Sequence, residues 1–476
     1  MEKRGLSAKE KVSYGLGAVG KDACYMLSAS YVLYYFQDVM GVSAVAMGII
    51  LMAARVFDAF NDPIMGVIVA KTKTRWGKFR PWLMIGTLTN SVILVVMFSC
   101  PPSLDGGGLI AYAAVTYILW GITYTMMDIP YWSMIPAFTE GGKEREGLTT
   151  LARSCAGVGS ALITIVTLMS VQALGRMAAG AGGSAKDVEV KGFQLFAVIV
   201  AVVFVIFITL TCLNIKEAST ADMQSASIGQ MFRALIQNDQ TIAVVVAIVI
   251  INCSVYITSN LVIYFFKYDF GGAGWYNQYT LFNMFGGAMQ ILSMMIFYPA
   301  LRKFFNTMKI FYISLVMAIA GYVALMGIGF LDMSNVFLLF IPGFFIFAAS
   351  GMLTVITTVF LANTVDYGEL KNKRRDESVI FSMQTFVVKL ASGIAAFIAS
   401  VSLQIFALSS DSADNSQAVD FSLNVPAASK VGLRCTMTII PILGLFFVFF
   451  WFRKKYILTD EKVEEIAAQV KAQREA

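Results

Sequence analysis

Asp58, Asn61 and Asp62 recur at i, i+3 and i+4 in Arg55-Val-Phe-Asp58-Ala-Phe-Asn61-Asp62-Pro63, so a helix places all three on one face. Apolar residues flank this stretch on both sides, which puts it inside a membrane span. A carboxylate at the bilayer centre costs roughly 2.5–3.5 kcal/mol, and two on one helix face also repel each other. Something positive must offset that cost. The three side chains offer carboxylate oxygens and an amide carbonyl, a donor set that suits a small hard cation. Thr125, one turn before the intramembrane Asp128, can add a hydroxyl. Asp58, Asn61, Asp62 and Thr125 are therefore the candidate cation ligands.

A second set has different chemistry. Lys21 and Asp22 lie in the first apolar segment, Asp128 in the fourth, Arg153 in the fifth and Lys389 in the eleventh. Tyr124, Asp128 and Trp132 form a stripe at i, i+4 and i+8. A sugar ring shows hydroxyls at its edge and C–H groups on its faces. Carboxylates accept hydroxyl protons, Lys and Arg donate, and an indole gives the ring face an apolar platform. Lys21, Asp22, Asp128, Trp132 and Arg153 combine these roles. Thr385 and Lys389 share a helix face, with Gln384 beside it. Lys21, Arg55, Arg153 and Lys389 balance Asp22, Asp58, Asp62 and Asp128, so the membrane interior is formally neutral. Exposing such groups to lipid costs too much, and they are expected to converge on a hydrated cavity.

The elements that position these residues follow from hydropathy. Of 476 residues, 58% are hydrophobic and 14% charged, against about 25% charged in soluble domains. The composition is that of an all-α, multi-pass membrane protein. Spans of about 20 apolar residues are expected over 13–36, 44–70, 81–100, 109–138, 148–173, 192–214, 241–266, 274–300, 310–331, 336–365, 378–408 and 431–452. A polar connection over 215–240 divides the twelve into six and six, giving bundles over 1–214 and 241–452 and a tail over 453–476 that forms a short charged helix from Thr459. With both termini cytoplasmic, the inside loops collect most of the 36 Lys and Arg residues, including Lys71, Lys73, Arg75, Lys78, Arg80, Lys371, Lys373, Arg374 and Arg375. The net charge of +6 thus reflects topology and gives no sign of a nucleic-acid partner. The first helix lacks a cleavage site and is expected to stay in the protein. Six scattered cysteines show no metal spacing, and there is no histidine, so ion coupling falls to carboxylates. No phosphate loop or nucleophile motif points to an enzyme, and no cofactor is expected.

Taken in order, several motifs carry a resemblance: Ser13-Tyr-Gly-Leu-Gly17 with Gly20-Lys-Asp22, Arg55 to Pro63, Arg75-Trp-Gly-Lys-Phe-Arg-Pro-Trp82, Thr123-Tyr-Thr-Met-Met-Asp-Ile-Pro-Tyr-Trp132, Asp366-Tyr-Gly-Glu369, and Gln384-Thr385 with Lys389. The chain resembles the melibiose-permease-like glycoside–pentoside–hexuronide:cation symporters over nearly its whole length. The resemblance implies a major-facilitator fold of two pseudo-symmetric six-helix bundles working by alternating access. It implies cation ligation by Asp58, Asn61, Asp62 and Thr125, and sugar contacts by Lys21, Asp22, Asp128, Trp132 and Arg153. It also implies that Tyr124, Gln384, Thr385 and Lys389 line the cavity, and that Asp366, Glu369 and Arg375 form cytoplasmic gating pairs. The chain departs from the pattern at Asn363, where melibiose permease has an aspartate. The implied activity is Na+ (or Li+ or H+) symport of an α-galactoside by a functional monomer in the bacterial inner membrane, with a cytoplasmic face open to a regulatory partner. A proton-coupled pentoside or glucuronide carrier is the nearest alternative, and a sodium-dependent lipid carrier a more distant one.

Overall fold

The computed structural model describes residues 5–475 apart from 102, 140–141, 181–183, 216, 218–235, 273, 332–334, 373–376 and 409–419. The expected Arg375, most of the connection 215–240 and the side chain of Arg55 lie outside the described residues. Every regular element among those described is helical. In chain order these are α1 (Ala8–Tyr34), α2 (Ala44–Lys71), α3 (Arg80–Met97), α4 (Gly106–Phe138), α5 (Gly142–Ala179) and α6 (Ala185–Asn214). They continue with α7 (Asp239–Tyr264), α8 (Trp275–Leu292), α9 (Thr307–Leu331), α10 (Val336–Asn372), α11 (Glu377–Ile405), α12 (Ala427–Lys455) and α13 (Asp460–Glu475). The helix α8 runs on through a π-helical stretch, Ser293–Phe297, into Tyr298–Arg302.

Ten of these helices, α3 to α12, are long and apolar enough to cross a membrane. Of the other three, α1 and α2 have 27 and 28 residues, about 40 Å at ~1.5 Å per residue, which exceeds the ~30 Å hydrocarbon layer. In α1 the apolar character is diluted by Lys21 and Asp22, whereas α2 is as apolar as α3 despite Asp58 and Asp62. The protein is thus a multi-pass membrane protein. Several helices outrun the expected spans, as in α5 over Gly142–Ala179 and α10 over Val336–Asn372, because a helix continues through the interfacial layer where hydropathy no longer reports it. The tail forms α13 nearly where it is expected.

The chain divides into two units. The first comprises residues 1–237, 365–386 and 466–476. Its helices approach closely at glycines. A Cβ added at Gly175 would lie 1.9 Å from Val188 O, and one at Gly192 would lie 2.1 Å from Val171 O, which fixes the crossing of α5 on α6. Gly159 meets Val19 O in the same way, seating α5 on α1. Small residues at such contacts let backbones pack without a clash. The entry to α3 is held by Glu217, whose carboxylate accepts the backbone N–H groups of Lys78, Phe79 and Arg80 at 2.6–3.0 Å. An anion is well placed there, at the positive end of the helix. Gly77 has φ +108° and leaves room for that carboxylate. Ser7 with Glu10, and Ser184 with Asp187, form capping boxes at the starts of α1 and α6.

The second unit comprises residues 238–364 and 387–465. Its α7 ends in a π-helical stretch, Phe265–Phe270, that delivers Asp269 inward. The Asp269 carboxylate is fully buried and takes a bidentate pair from Arg434 of α12, Nε to Oδ2 and Nη2 to Oδ1, both at 2.6 Å. Arg434 Nη1 also donates to Gly329 O at the end of α9. One guanidinium therefore joins the ends of three helices, and the planar fork of arginine suits the task. At the opposite ends of α9 and α12, Phe311, Phe360, Phe452 and Tyr456 form an aromatic cluster in which Phe452 stacks on Phe360 and Tyr456.

Removing one partner of the buried pair leaves an uncompensated charge. Asp269→Asn is expected to destabilise the protein by about 3–5 kcal/mol, read as a fall in melting temperature in detergent. Replacing both partners, Asp269→Leu with Arg434→Met, is expected to cost far less than either single change.

Candidate functional site

The charges on α1, α4 and α5 meet in the first unit. Lys21 Nζ lies 2.7 Å from Asp128 Oδ1 and 2.9 Å from Asp22 Oδ2, and it donates to Tyr124 OH at 3.3 Å. The lysine is 3% exposed, so it is held by these partners rather than by water. Trp132 Nε1 donates to the same Asp128 oxygen at 3.1 Å. The Lys21 ammonium also sits 5.0 Å from the Trp132 ring centroid, and the Arg153 guanidinium lies over that ring at 3.7 Å. Both cations gain from the negative face of the indole. Five of the residues expected to bind sugar, together with Tyr124, thus form one constellation of two carboxylates, two cations and two aromatic rings.

The scaffold behind it is rigid. Tyr14 of α1 and Tyr131 of α4 stack at 4.4 Å and 10°. Each hydroxyl donates to the other residue's backbone carbonyl. Trp120 stacks on Tyr117 and Tyr124, and Tyr25 leans on both Trp120 and Tyr124. These ring contacts continue the stripe on α4 away from the charged group.

The cation candidates face the same helix. Thr125 Oγ1 donates to Asp62 Oδ1 at 2.8 Å, and Asp62 is fully buried. Asp58, one turn earlier on α2, lies against Gly121, one turn earlier on α4; a Cβ added at Gly121 would stand 3.1 Å from Asp58 Oδ1. The two helices therefore match in register, Asp58 with Gly121 and Asp62 with Thr125. Asn61 Nδ2 is buried with no hydrogen-bond partner. Since amide orientation is an assignment, the opposite flip would turn the side-chain oxygen to that same buried position. Among the described residues no group of three or more His, Cys, Asp or Glu assembles. The donor set is two carboxylates with neutral oxygens, the kind of all-oxygen donor set a small hard cation takes.

Spacing within α2 and α4 identified Asp58, Asp62 and Thr125 but missed Gly121, which has no side chain to attract notice. Its signal was position alone, i−4 from Thr125. Asn90 of α3 was also missed. It is fully buried and bonded to Trp120 O, Thr123 Oγ1 and Cys24 Sγ.

The expected gating residues are partly placed. Asp366 of α10 accepts from Arg145 of α5 at 2.7 Å, with Arg145 1% exposed and also bonded to Thr139. Glu377 at the start of α11 pairs with Lys78 at 3.4 Å. Glu369 lies nearly one turn beyond Asp366 on α10 and Asn363 nearly one turn before it, both half-buried. Both pairs belong to the first unit. Arg145, Lys78 and Glu377 were absent from the expected gating set. Gln384 and Thr385 lie on the part of α11 in the first unit and Lys389 on the part in the second. Gln384 is buried, and Thr385 Oγ1 donates to Phe381 O within its own helix.

Lys21→Met leaves the Asp22 and Asp128 carboxylates without their shared cation. It is expected to destabilise the fold by about 3–5 kcal/mol, and adding Asp128→Asn is expected to recover a measurable part of the lost melting temperature.

Comparison with known proteins matches residues 13–460 to the family model described as "MFS/sugar transport protein". The chain is 28% identical to a "Lactose permease" of Lactobacillus delbrueckii subsp. bulgaricus, covering 97% of this chain and 72% of that protein. It is 27% identical to a "Putative glycoside/cation symporter YagG" of Escherichia coli (strain K12), over 99% of this chain and 96% of that one. In fold it is similar to the E. coli fucose:proton symporter FucP, with a TM-score of 0.67 at 13% identity, covering 95% and 98% of the two chains.

Proposed function

We propose, from the premise that this chain belongs to the MFS/sugar transport protein family and moves a sugar together with a cation, that the ion is Na+ and the sugar an α-galactoside such as melibiose. The observation that carries the reading is the shared use of α4. Thr125 binds Asp62 of the cation set, and Asp128, nearly one turn on, binds Lys21 of the sugar set. No intervening element is needed for one ligand to sense the other.

In this mechanism Na+ enters between Asp58 and Asp62 and offsets their mutual repulsion. Thr125 and Asn61 supply neutral oxygens. Li+ or a proton can compete for the same carboxylates. The sugar takes hydroxyl contacts from Asp22, Asp128, Lys21 and Arg153, lays one ring face on Trp132, and reaches Tyr124 and the α11 residues Gln384 and Thr385. To bind, it must exchange hydrogen bonds with the Lys21–Asp128 pair. That exchange favours a substrate with hydroxyls matched to both charges over an apolar one. Each ligand then raises the other's affinity by the same factor. Alternating access follows if the empty and doubly loaded carriers reorient readily and the singly loaded one does not. The pairs Arg145–Asp366 and Lys78–Glu377 are discrete contacts that such a cycle would break and re-form. The names of the relatives, a lactose permease and a glycoside/cation symporter, support a glycoside as cargo.

The test is sugar binding measured with NaCl and with choline chloride at fixed pH. Asp62→Cys is expected to abolish the effect of sodium while leaving residual sodium-independent binding. Full sodium stimulation in that variant contradicts the cation assignment. Asp128→Cys is expected to weaken sugar at least tenfold, about 1.4 kcal/mol; normal affinity contradicts the sugar assignment. Sodium-insensitive binding that instead follows pH would identify the proton as the coupling ion.

A further inference from the structure

We infer that Asn90 is a positioning residue that sets α4 against α1, so that occupation of the cation carboxylates is felt at the sugar charges. The inference rests on the two ligand groups proposed above, although Asn90 belongs to neither.

Asn90 has no exposed surface. Its Nδ2 donates to Trp120 O at 2.9 Å and to Thr123 Oγ1 at 2.9 Å, and its Oδ1 accepts from Cys24 Sγ at 3.2 Å. Both ends of the amide are therefore in use, one toward α4 and one toward α1. On the same face of α3, one turn earlier, Gly86 admits the α4 backbone at Met126–Met127, where an added Cβ would lie 2.8 Å from Met127 N. The i, i+4 pair of Gly86 and Asn90 thus grips α4 at two heights.

The gripped residues interleave with the ligand groups. Trp120 precedes Gly121, which packs on Asp58. Thr123 precedes Tyr124 and Thr125, the partners of Lys21 and Asp62. On α1, Cys24 stands three residues after Lys21, on the same helix face.

The grip matters because α4 is weakened just beyond it. Pro130 and Pro136 lie inside the helix, and each removes the backbone donor to the carbonyl four residues earlier, Met126 and Trp132. A helix so interrupted can absorb a local shift by bending or slipping. Thr123 Oγ1 adds bonds to Leu119 O at 2.9 Å and Trp120 O at 3.1 Å, stiffening the same turn. With Asn90 in place, a change at Asp58 and Asp62 must alter the Lys21–Asp128–Tyr124 geometry instead of dissipating between helices.

A merely structural asparagine would affect stability and leave the coupling factor alone, so that factor is the readout. Melibiose affinity is measured by calorimetry on the full chain in detergent, with saturating NaCl and with choline chloride, alongside melting temperature. The wild type is expected to show sodium tightening sugar binding at least about fivefold. In Asn90→Leu, which keeps the branched outline and removes all three bonds, the factor is expected to fall below about twofold, with sodium-free sugar affinity within about threefold of wild type. An unchanged factor, with or without a lowered melting temperature, overturns the inference. If Asn90→Leu does not fold, Thr123→Val removes one α4 acceptor; a reduced factor there supports the inference and an unchanged one overturns it. Absence of any sodium, lithium or pH effect in the wild type itself overturns the underlying reading and this inference with it, and is told apart because it appears before any substitution is made.

Discussion

Lys21 is the charge on which the buried chemistry of the first unit depends. Inside a membrane a carboxylate is tolerated only where a counter-charge meets it, and this one ammonium lies within 3 Å of both Asp22 and Asp128. The pairing explains how α1, with two charged residues in its middle, can lie in the bilayer at all. In the proposed function it also sets selectivity, because a ligand must offer hydroxyls good enough to replace contacts that the three groups already make with each other. Trp132 serves twice, donating to Asp128 and presenting its ring to Lys21 and Arg153, so the ring proposed as the platform for a sugar face is fixed by the charges around it.

In the proposed function the helix α4 makes one device of two ligand groups. Its Gly121 and Thr125 face α2, while Tyr124 and Asp128 face α1. The absence of a side chain at Gly121 gives Asp58 room; a Cβ there would stand 3.1 Å from Asp58 Oδ1 and require a shift of a few tenths of an ångström. At the ends of the helices, Arg145 with Asp366 and Lys78 with Glu377 join parts of α10 and α11 to the first unit. In the proposed cycle these ion pairs are the contacts exchanged between states.

Much of this was legible in the sequence, for physical reasons that differ by feature. The helices follow from hydropathy, because lipid forces every backbone group to be satisfied internally. The convergence of Lys21, Asp22, Asp128, Trp132 and Arg153 follows from the cost of isolated charge. The link from Asp62 to Thr125 could be anticipated because both residue types are conspicuous in an apolar segment. Other features left no such mark. The π-helical ends of α7 and α8 change backbone pitch without changing composition. Gly121 and Asn90 act through contacts between helices, and sequence spacing reports only contacts within one. Asp269 and Arg434 lie at helix ends, where charge is ordinary, and only the fold shows them as a buried pair.

The central claim is that cation and sugar share one coupled site. It is tested most directly by measuring both arms of the linkage on the unmodified protein: the factor by which sodium tightens melibiose binding, and the factor by which melibiose tightens sodium binding. The account predicts two equal factors, each above about fivefold. Sugar binding that is indifferent to sodium, lithium and pH alike would contradict it.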